Sequence, residues 1–295
     1  MLLSDIHLEI ASQYTTYTFP ATAPILLLAG DVGNLVHYPD YLAFLASLAP
    51  RYDRVLLLLG NHDFYGLTYD AALDAARRLV AEPCLAGKVL LLHRTRWDDP
   101  DSDLTVLGCT LWSRVPAKAR DTVFYRVSDY LHIKEWSVEK HNEKHIEEVA
   151  WLRAELRAMA QEHKAAVKRV TEENKRRRKQ SPVPASSAAA TPTTTTTLPT
   201  GEPTSAPSDP SPSSPQPLPL LPLPRRRILV ATHHAPCVHG AQRPDKADKP
   251  WASAFVTDLM LVKGTRIVAN QRGYDFKGNP DPKDENFDPA YVIKM

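Results

Sequence analysis

Residues 25–33 read ILLLAGDVG: five apolar residues, Ile25–Ala29, then Gly30-Asp31-Val32-Gly33. A short greasy run without polar alternation, closed by glycine, predicts a strand covered on both faces. The same figure recurs along the chain. Leu2–Leu3 leads into Asp5-Ile6-His7, Val55–Leu59 into Gly60-Asn61-His62-Asp63, and Ile228–Thr232 into His233-His234-Ala235-Pro236. Val89–Leu92, Leu104–Leu107 and Thr265–Ala269 read as further strands. Pro39–Leu48 and Tyr69–Val80 predict helices, the first opened by a proline, whose missing N–H is not needed there. Buried strands alternating with helices define an α/β class.

A long helical pattern runs from about Glu139 to Lys175, with Ile146, Val149, Leu152, Leu156 and Met159 spaced as a packing stripe. Then the composition breaks. Ser181–Pro224 holds 13 of the 26 prolines in 44 residues, with a TTTTT run and a PLPLLPLP end. Such a stretch has too little apolar surface to offset chain entropy, so it predicts a disordered Pro/Ser/Thr-rich insertion with local polyproline character. It divides the chain into 1–180 and 225–295. The second piece carries one or two strands, too few for a core of its own, so the two pieces are expected to form one domain.

Composition bounds the function class. The 295 residues carry a net charge of +2, but Lys175–Lys179 (KRRRK), Arg225–Arg227 and the insertion between them sum to +6, leaving −4 elsewhere. A mildly acidic folded part argues against a broad nucleic-acid-binding face. The basic runs offer a nuclear address or a nucleic-acid tether, and the plainer reading is a solvated charge run. No apolar run approaches the ~20 residues of a membrane helix. The start, MLLSDIHLE, lacks a basic n-region, places Asp5 and His7 where a signal peptide is apolar, and gives strand one almost no residues before Ser4, as if clipped. Cys84, Cys109 and Cys237 are odd in number and scattered, so no disulfide framework is expected, and Cys237 reads as inert. These features predict an intracellular, cytoplasmic chain, with a nuclear one allowed by the basic runs.

The strand ends carry the chemistry. Open α/β sheets bind ligands beyond the carboxyl ends of their strands. Here four such ends present Asp, His or Asn, which together are ligands for Mn, Fe or Zn. Singly, Asp5 or Asp31 reads as a helix N-cap, Asn61 as a turn residue, and His62 or His233 as an ordinary satisfied side chain. Capping does not explain why every strand end has one.

DIH, GDVG, GNHD and THHAP, in that order and each after a strand, resemble the calcineurin-like metallophosphoesterase family. GCTLW (Gly108–Trp112), SDY (Ser128–Tyr130), SAFVTDL (Ser253–Leu259), GTRIVANQRGY (Gly264–Tyr274) and ENFDPAYVI (Glu285–Ile293) extend the resemblance to nearly all of the chain outside the insertion. It implies a four-layer αββα sandwich with two divalent or trivalent metal ions at one end of the sheets. By this resemblance Asp5 and His7 bind the first metal, Asp31 bridges both, and Asn61 with His233 binds the second. His234 is the alternative to His233. His62 is implied as the acid or transition-state stabiliser, oriented by Asp63. The implied reaction is hydrolysis of a phosphomonoester or phosphodiester, in which two metals ~3.5–4 Å apart clamp the phosphoryl oxygens and activate a water.

One motif of that family has no counterpart. A Gly-His-x-His sequence is expected between SAFVTDL and GTRIVANQRGY, yet the last of the 11 histidines is His239. Each metal then keeps three candidate ligands, with His141, His145 and His239 as chance substitutes only. Weak metal loading and a poorly stable C-terminal part are expected. Two readings follow: an active enzyme whose parent sequence holds the missing segment, or an inactive relative acting as a binding or scaffold protein.

Overall fold

The computed structural model describes residues 1–180, 220–221, 225–237, 249–259, 266, 268–272 and 287–294. The insertion predicted over 181–224 lies outside the described residues except for Leu220 and Leu221, as do His239 and, within the strand predicted over Thr265–Ala269, Thr265 and Ile267. The chain divides into two compact units, Met1–Ala158 with Arg225–Met295, and Met159–Pro224.

The first unit is built on two sheets. β1 (Leu2–Leu3), β2 (Ile25–Ala29), β3 (Arg54–Leu58) and β4 (Val89–Leu91) form an all-parallel sheet in that order. β5 (Thr95–Asp98), β6 (Leu104–Cys109) and β7 (Arg227–Thr232) form the second, with β5 antiparallel and β7 parallel to β6. The two faces of the first sheet can be read residue by residue. Leu26, Leu28, Val55 and Leu57 pack into one core with Tyr41, Phe44, Leu73 and Ala76 of the helices α1 (Tyr38–Leu48) and α2 (Tyr69–Val80). Leu27, Ala29, Leu56 and Leu58 pack into a second core with Val106 and Ala231 of the other sheet. Side chains alternate across a strand, so one continuous apolar run serves both cores. Each fully buried leucine contributes roughly 1.5–3 kcal/mol. The architecture is therefore the mixed α/β sandwich the sequence predicts, helices on one sheet and that sheet on another.

Local chemistry sets the helix ends. Pro39 stands in the first turn of α1, and Tyr41, Phe44, Leu45 and Leu48 are its buried face. Thr68 caps α2 by accepting a hydrogen bond from the Ala71 N–H at 3.3 Å, and Arg77 and Arg78 lie in its last turn, where cations suit the helix dipole. Beyond β6 come the short helices α3 (Arg120–Arg126) and α4 (Asp129–His132), then α5 (Val138–Gln180).

Several expectations are corrected. Each strand predicted up to Thr232 exists, but β3 runs one residue earlier, from Arg54 to Leu58, and β6 continues to Cys109, whereas Arg266, Val268 and Ala269 of the strand predicted over Thr265–Ala269 lie in no strand. β5, with the sequence TRWD, has no apolar signature to find, because its side chains are only partly covered. The stripe on α5 starts differently from the one predicted. Val149 and Leu152 are buried, but Ile146 is 67% exposed. In its place polar residues face inward. His145 Nδ1 is 2.5 Å from the Trp112 carbonyl, Glu148 accepts from the Trp112 N–H at 2.9 Å, Asn142 bonds both the N–H and the carbonyl of Val115, and His141 lies 2.9 Å from Ser113 Oγ. Among the described residues the loop after β6 has no strand partner there, and Asn142, His145 and Glu148 satisfy its backbone instead.

The basic runs are partly consumed by pairing. Arg226 reaches Asp98 and Thr105, and Arg227 reaches Asp103, which fastens the start of β7 to the β5–β6 hairpin. In the second unit, Lys175 and Arg177 pair with Glu172 and Glu173 along α5.

Burial pushes the Glu148 carboxyl up to about 7. Its Oε1 is buried without a hydrogen-bond partner, which disfavours the charge further. Since the folded pKa lies above the unfolded one, the folded chain holds a proton that the unfolded chain releases between pH ~4.5 and ~7. Stability from this residue is thus lost as pH rises through that window. Urea unfolding of Glu148→Gln should show it gaining on the wild type across that range, by on the order of 3 kcal/mol in full. A difference that is flat with pH would refute the assignment.

Candidate metal centre

The site residues stand at the carboxyl ends of β1, β2, β3 and β7. Their backbones are unusual. Asp5, His7 and Asp31 have φ of 53°, 47° and 52°, the left-handed region that side-chain-bearing residues seldom adopt. Strain of this kind persists only where the surroundings enforce it. Here they do: the Asp5 N–H bonds the Gly30 carbonyl at 3.0 Å, and the His7 N–H bonds the Asp31 carbonyl at 3.0 Å.

Two glycines make room. Gly30, at φ 94°, faces the His233 ring so closely that a Cβ would overlap its Nδ1. A Cβ on Gly60 would overlap the Asp31 carboxylate and lie 2.5 Å from the Asp31 backbone nitrogen. Both glycines are thus spacers that let strand ends and ligands crowd together.

The structure brings Asp5, Asp31 and His233 together, with one ligand atom of each within 4.8 Å of the others. His7 Nε2 is 3.8 Å from Asp31 Oδ2, on the other side of that carboxylate from His233, whose Nε2 is 3.4 Å from Asp31 Oδ1. His233 Nε2 also lies 3.0 Å from Asn61 Oδ1, while its Nδ1 lies 3.1 Å from the Ala29 carbonyl. His233, not His234, faces Asp31 and Asn61. His234 turns away into an aromatic cluster, with ring centroids 5.3 Å from Trp112 and 5.7 Å from Phe255. His62 donates its backbone N–H to Asp31 Oδ1 at 2.8 Å, and its ring stacks on Tyr65 at 4.2 Å.

Asp63 is placed otherwise than expected. Its Oδ2 accepts the backbone N–H groups of Asp31 at 3.0 Å and Gly60 at 2.7 Å, and its Oδ1 accepts the Tyr41 hydroxyl at 2.8 Å. The carboxylate that meets a His62 ring nitrogen is Glu9, at 3.3 Å from Nδ1. The physical reason lies in burial: Asp63 sits wholly beneath the strand ends, where amides need an acceptor. Asp129 is a second residue without a predicted role. It is buried, and its Oδ1 accepts from Asn61 Nδ2 at 2.7 Å and from the Tyr65 hydroxyl at 2.8 Å. That bond fixes which end of the Asn61 amide is nitrogen, and turns its oxygen to His233. Both residues had a sequence signal: Glu9 ends DIHLE, and Asp129 is the centre of SDY.

Electrostatics favour positive charge at this point. Burial alone opposes a charge on Asp31, but His233 and His62 outweigh it and hold the carboxyl well below its usual range. Burial likewise opposes charge on the histidines, yet Asp31 draws His233 up to about 10, and Asp31 with Glu9 draws His62 up to about 9. Glu9, against its own burial, is held down at about 2 by hydrogen bonds from His62 and His7. The protonated imidazoles neutralise carboxylates that a cation would neutralise equally. The donor set fits a metal by type as well, since carboxylate oxygen, imidazole nitrogen and amide oxygen suit Mn, Fe or Zn.

Residues 1–124 match the model of the calcineurin-like phosphoesterase family. The resemblance carried by DIH, GDVG and GNHD is thereby borne out: the segment that supplies β1 to β6, with Asp5, His7, Asp31, Asn61 and His62, matches that family's model. The family points to a metal-dependent hydrolase of phosphoester bonds. The chain is also similar to uncharacterized protein L509 of Acanthamoeba polyphaga mimivirus, 25% identical over 143 residues, which cover 45% of this chain and 50% of the relative. The match therefore spans about half the length of that relative.

Gly60→Ala tests how tightly the strand ends are packed. The new methyl meets the Asp31 backbone nitrogen as well as its carboxylate, so moving the side chain alone does not relieve it and β2 and β3 must part at their ends. A loss of about 1–3 kcal/mol in urea unfolding is expected. An unchanged midpoint would show that the crowding is not real.

Proposed function

We propose that this chain hydrolyses phosphoester bonds, monoester or diester, with two metal ions held at the strand ends. The observation that carries the reading is the gathering of Asp5, Asp31 and His233, from three separate strand ends, around one point. Asp5, His7 and Asp31 would hold one ion, and Asp31, Asn61 and His233 the other. Bound there, the ions would supply Lewis-acid chemistry, neutralising phosphoryl oxygens and acidifying a water.

The chain's own residues do the rest. Asp31 keeps its carboxylate turned to both ligand groups because the His62 N–H anchors Oδ1 and Asp63 anchors the backbone behind it. His62 carries a proton at neutral pH, so its ring can donate to the oxygen that leaves with the alcohol. Asp129 holds the Asn61 amide oxygen toward His233. No covalent intermediate on the protein is needed in this reading. In this reading 1–180 and 225–295 act as one catalytic domain interrupted by 181–224. Among the described residues no helix is long and apolar enough to cross a membrane.

A second reading has its own observation: no histidine follows His239, so each ion is left with three residue ligands. Three suffice for catalytic zinc. If they do not suffice here, the chain is an inactive relative that binds rather than cleaves.

The two readings part in one assay, the 295-residue chain against its Asp31→Asn variant on a chromogenic phosphodiester with Mn²⁺. Turnover in the wild type that drops to background in the variant is the expected result. Absence of turnover in a folded wild type, with mono- and diesters alike, would overturn the enzyme reading in favour of the second.

A further inference from the structure

Glu9 stands two residues beyond His7 and touches both histidines that matter most for chemistry. Its Oε1 is 3.0 Å from His7 Nδ1 and 3.3 Å from His62 Nδ1. The two rings meet edge to face, with centroids 4.6 Å apart, so a single carboxylate oxygen can reach the same nitrogen on each. Glu9 has little freedom to do otherwise. Its side chain is 11% exposed, and the backbone on either side is pinned: the Leu8 N–H bonds the Val32 carbonyl at 2.9 Å, and the Ile10 N–H bonds the His7 carbonyl at 3.1 Å.

We propose that Glu9 is a positioning residue that holds His7 and His62 by their Nδ1 atoms, presenting the Nε2 of His7 to the Asp31 site and setting the His62 ring for proton transfer. The roles of the two histidines rest on the phosphoesterase reading above. An imidazole that donates Nδ1–H to a carboxylate has its tautomer and its ring plane fixed, and its other nitrogen becomes the more basic donor to a metal. His7 shows that arrangement: Nδ1 faces Glu9, and Nε2 faces Asp31 Oδ2 at 3.8 Å. One carboxylate therefore governs both a metal ligand and the proton-bearing group, which couples metal loading to catalysis through a residue that meets neither ion nor substrate. His7, Glu9 and His62 also lie close enough together to hold an ion directly, and Glu9 Oε2 is buried without a hydrogen-bond partner. The count of bound ions separates these two cases, because a ligand carboxylate takes an ion with it when removed and a positioning carboxylate does not.

The experiment is calorimetric titration of the full chain with Mn²⁺ alone, for wild type, Glu9→Ala and Glu9→Gln, followed by kcat and KM on the chromogenic phosphodiester at saturating Mn²⁺. Expected for Glu9→Ala are unchanged Mn²⁺ stoichiometry, affinity weakened about 10–100-fold, and a kcat that stays low when the metal is saturating while KM barely moves. Glu9→Gln should recover much of both, since its amide oxygen accepts from the same two ring nitrogens. Should Glu9→Ala not fold, Glu9→Leu fills the space and takes its place. Loss of one Mn²⁺ equivalent would make Glu9 a ligand and overturn the proposal, as would affinity and kcat equal to wild type. A wild-type chain that takes up no Mn²⁺ would overturn the phosphoesterase reading itself, and this assignment with it. The Mn²⁺ titration is read without turnover, so it stands even for an inactive chain.

Discussion

The Asp63 carboxylate ties two strand ends together from below. With one oxygen it accepts the backbone N–H groups of Asp31 and Gly60, and with the other the hydroxyl of Tyr41 in α1. β2 and β3 are parallel neighbours whose ladder ends at Ala29 and Leu58, so the amides just beyond have no strand to pair with. Left unpaired in so buried a place, each would carry a penalty of about 1–3 kcal/mol. Burial and the charge on Asp31 push the Asp63 carboxyl up to about 7, and the amide and hydroxyl donors pull against that rise. The left-handed turn at Asp31, the close approach of Gly60 and the anchoring of the His62 amide all depend on this junction. The candidate ligands Asp31 and Asn61 thereby stand on backbone that is hydrogen-bonded at the strand ends.

Much of this was legible in the amino acids, and for a definite reason. Strands buried on both faces, such as Ile25–Ala29, leave an unbroken apolar signature, and the first polar residue after each must lie at the sheet's end. Asp5, His7, Asp31, Asn61, His62 and His233 could thus be named without coordinates. Between His233 and His234 the sequence favours His233, the residue immediately after the strand, and it is His233 that faces Asn61 and Asp31. Asp63 and Glu9 were not assignable by adjacency. Asp63 follows His62 in sequence yet points beneath the strands, whereas Glu9 is 53 residues from His62 and meets its ring. Neighbourhood in the chain predicts backbone geometry well and side-chain partnership poorly.

The start of α5 shows the opposite failure. A stripe of Ile146, Val149 and Leu152 at helical spacing predicts an apolar face, and part of it holds. What the periodicity cannot express is that the neighbouring segment, Trp112 to Val115, is irregular backbone needing donors and acceptors. Asn142, His145 and Glu148 answer that need, and His145 and Glu148 do so from the same helix face as the buried Leu152. Burial of charge-capable groups follows from this. His141 is held at about 3, by burial first and by His145 next, so it stays neutral inside the fold.

The pairing of β7 with β6 has a consequence for the order in which the molecule is made. Asp5, His7, Asp31, Asn61 and His62 all leave the ribosome early, along with the strands that carry them. His233 meets Asn61 across 172 residues of chain. At roughly 5–20 residues per second, translation would take about 10–35 s to span that interval. For that time the nascent chain would hold a four-stranded sheet, a second sheet lacking one strand, and a strand-end cluster lacking His233. The exposed edge of β6 would stand ready as a template for any extended segment, and the correct one, Arg227–Thr232, would arrive last.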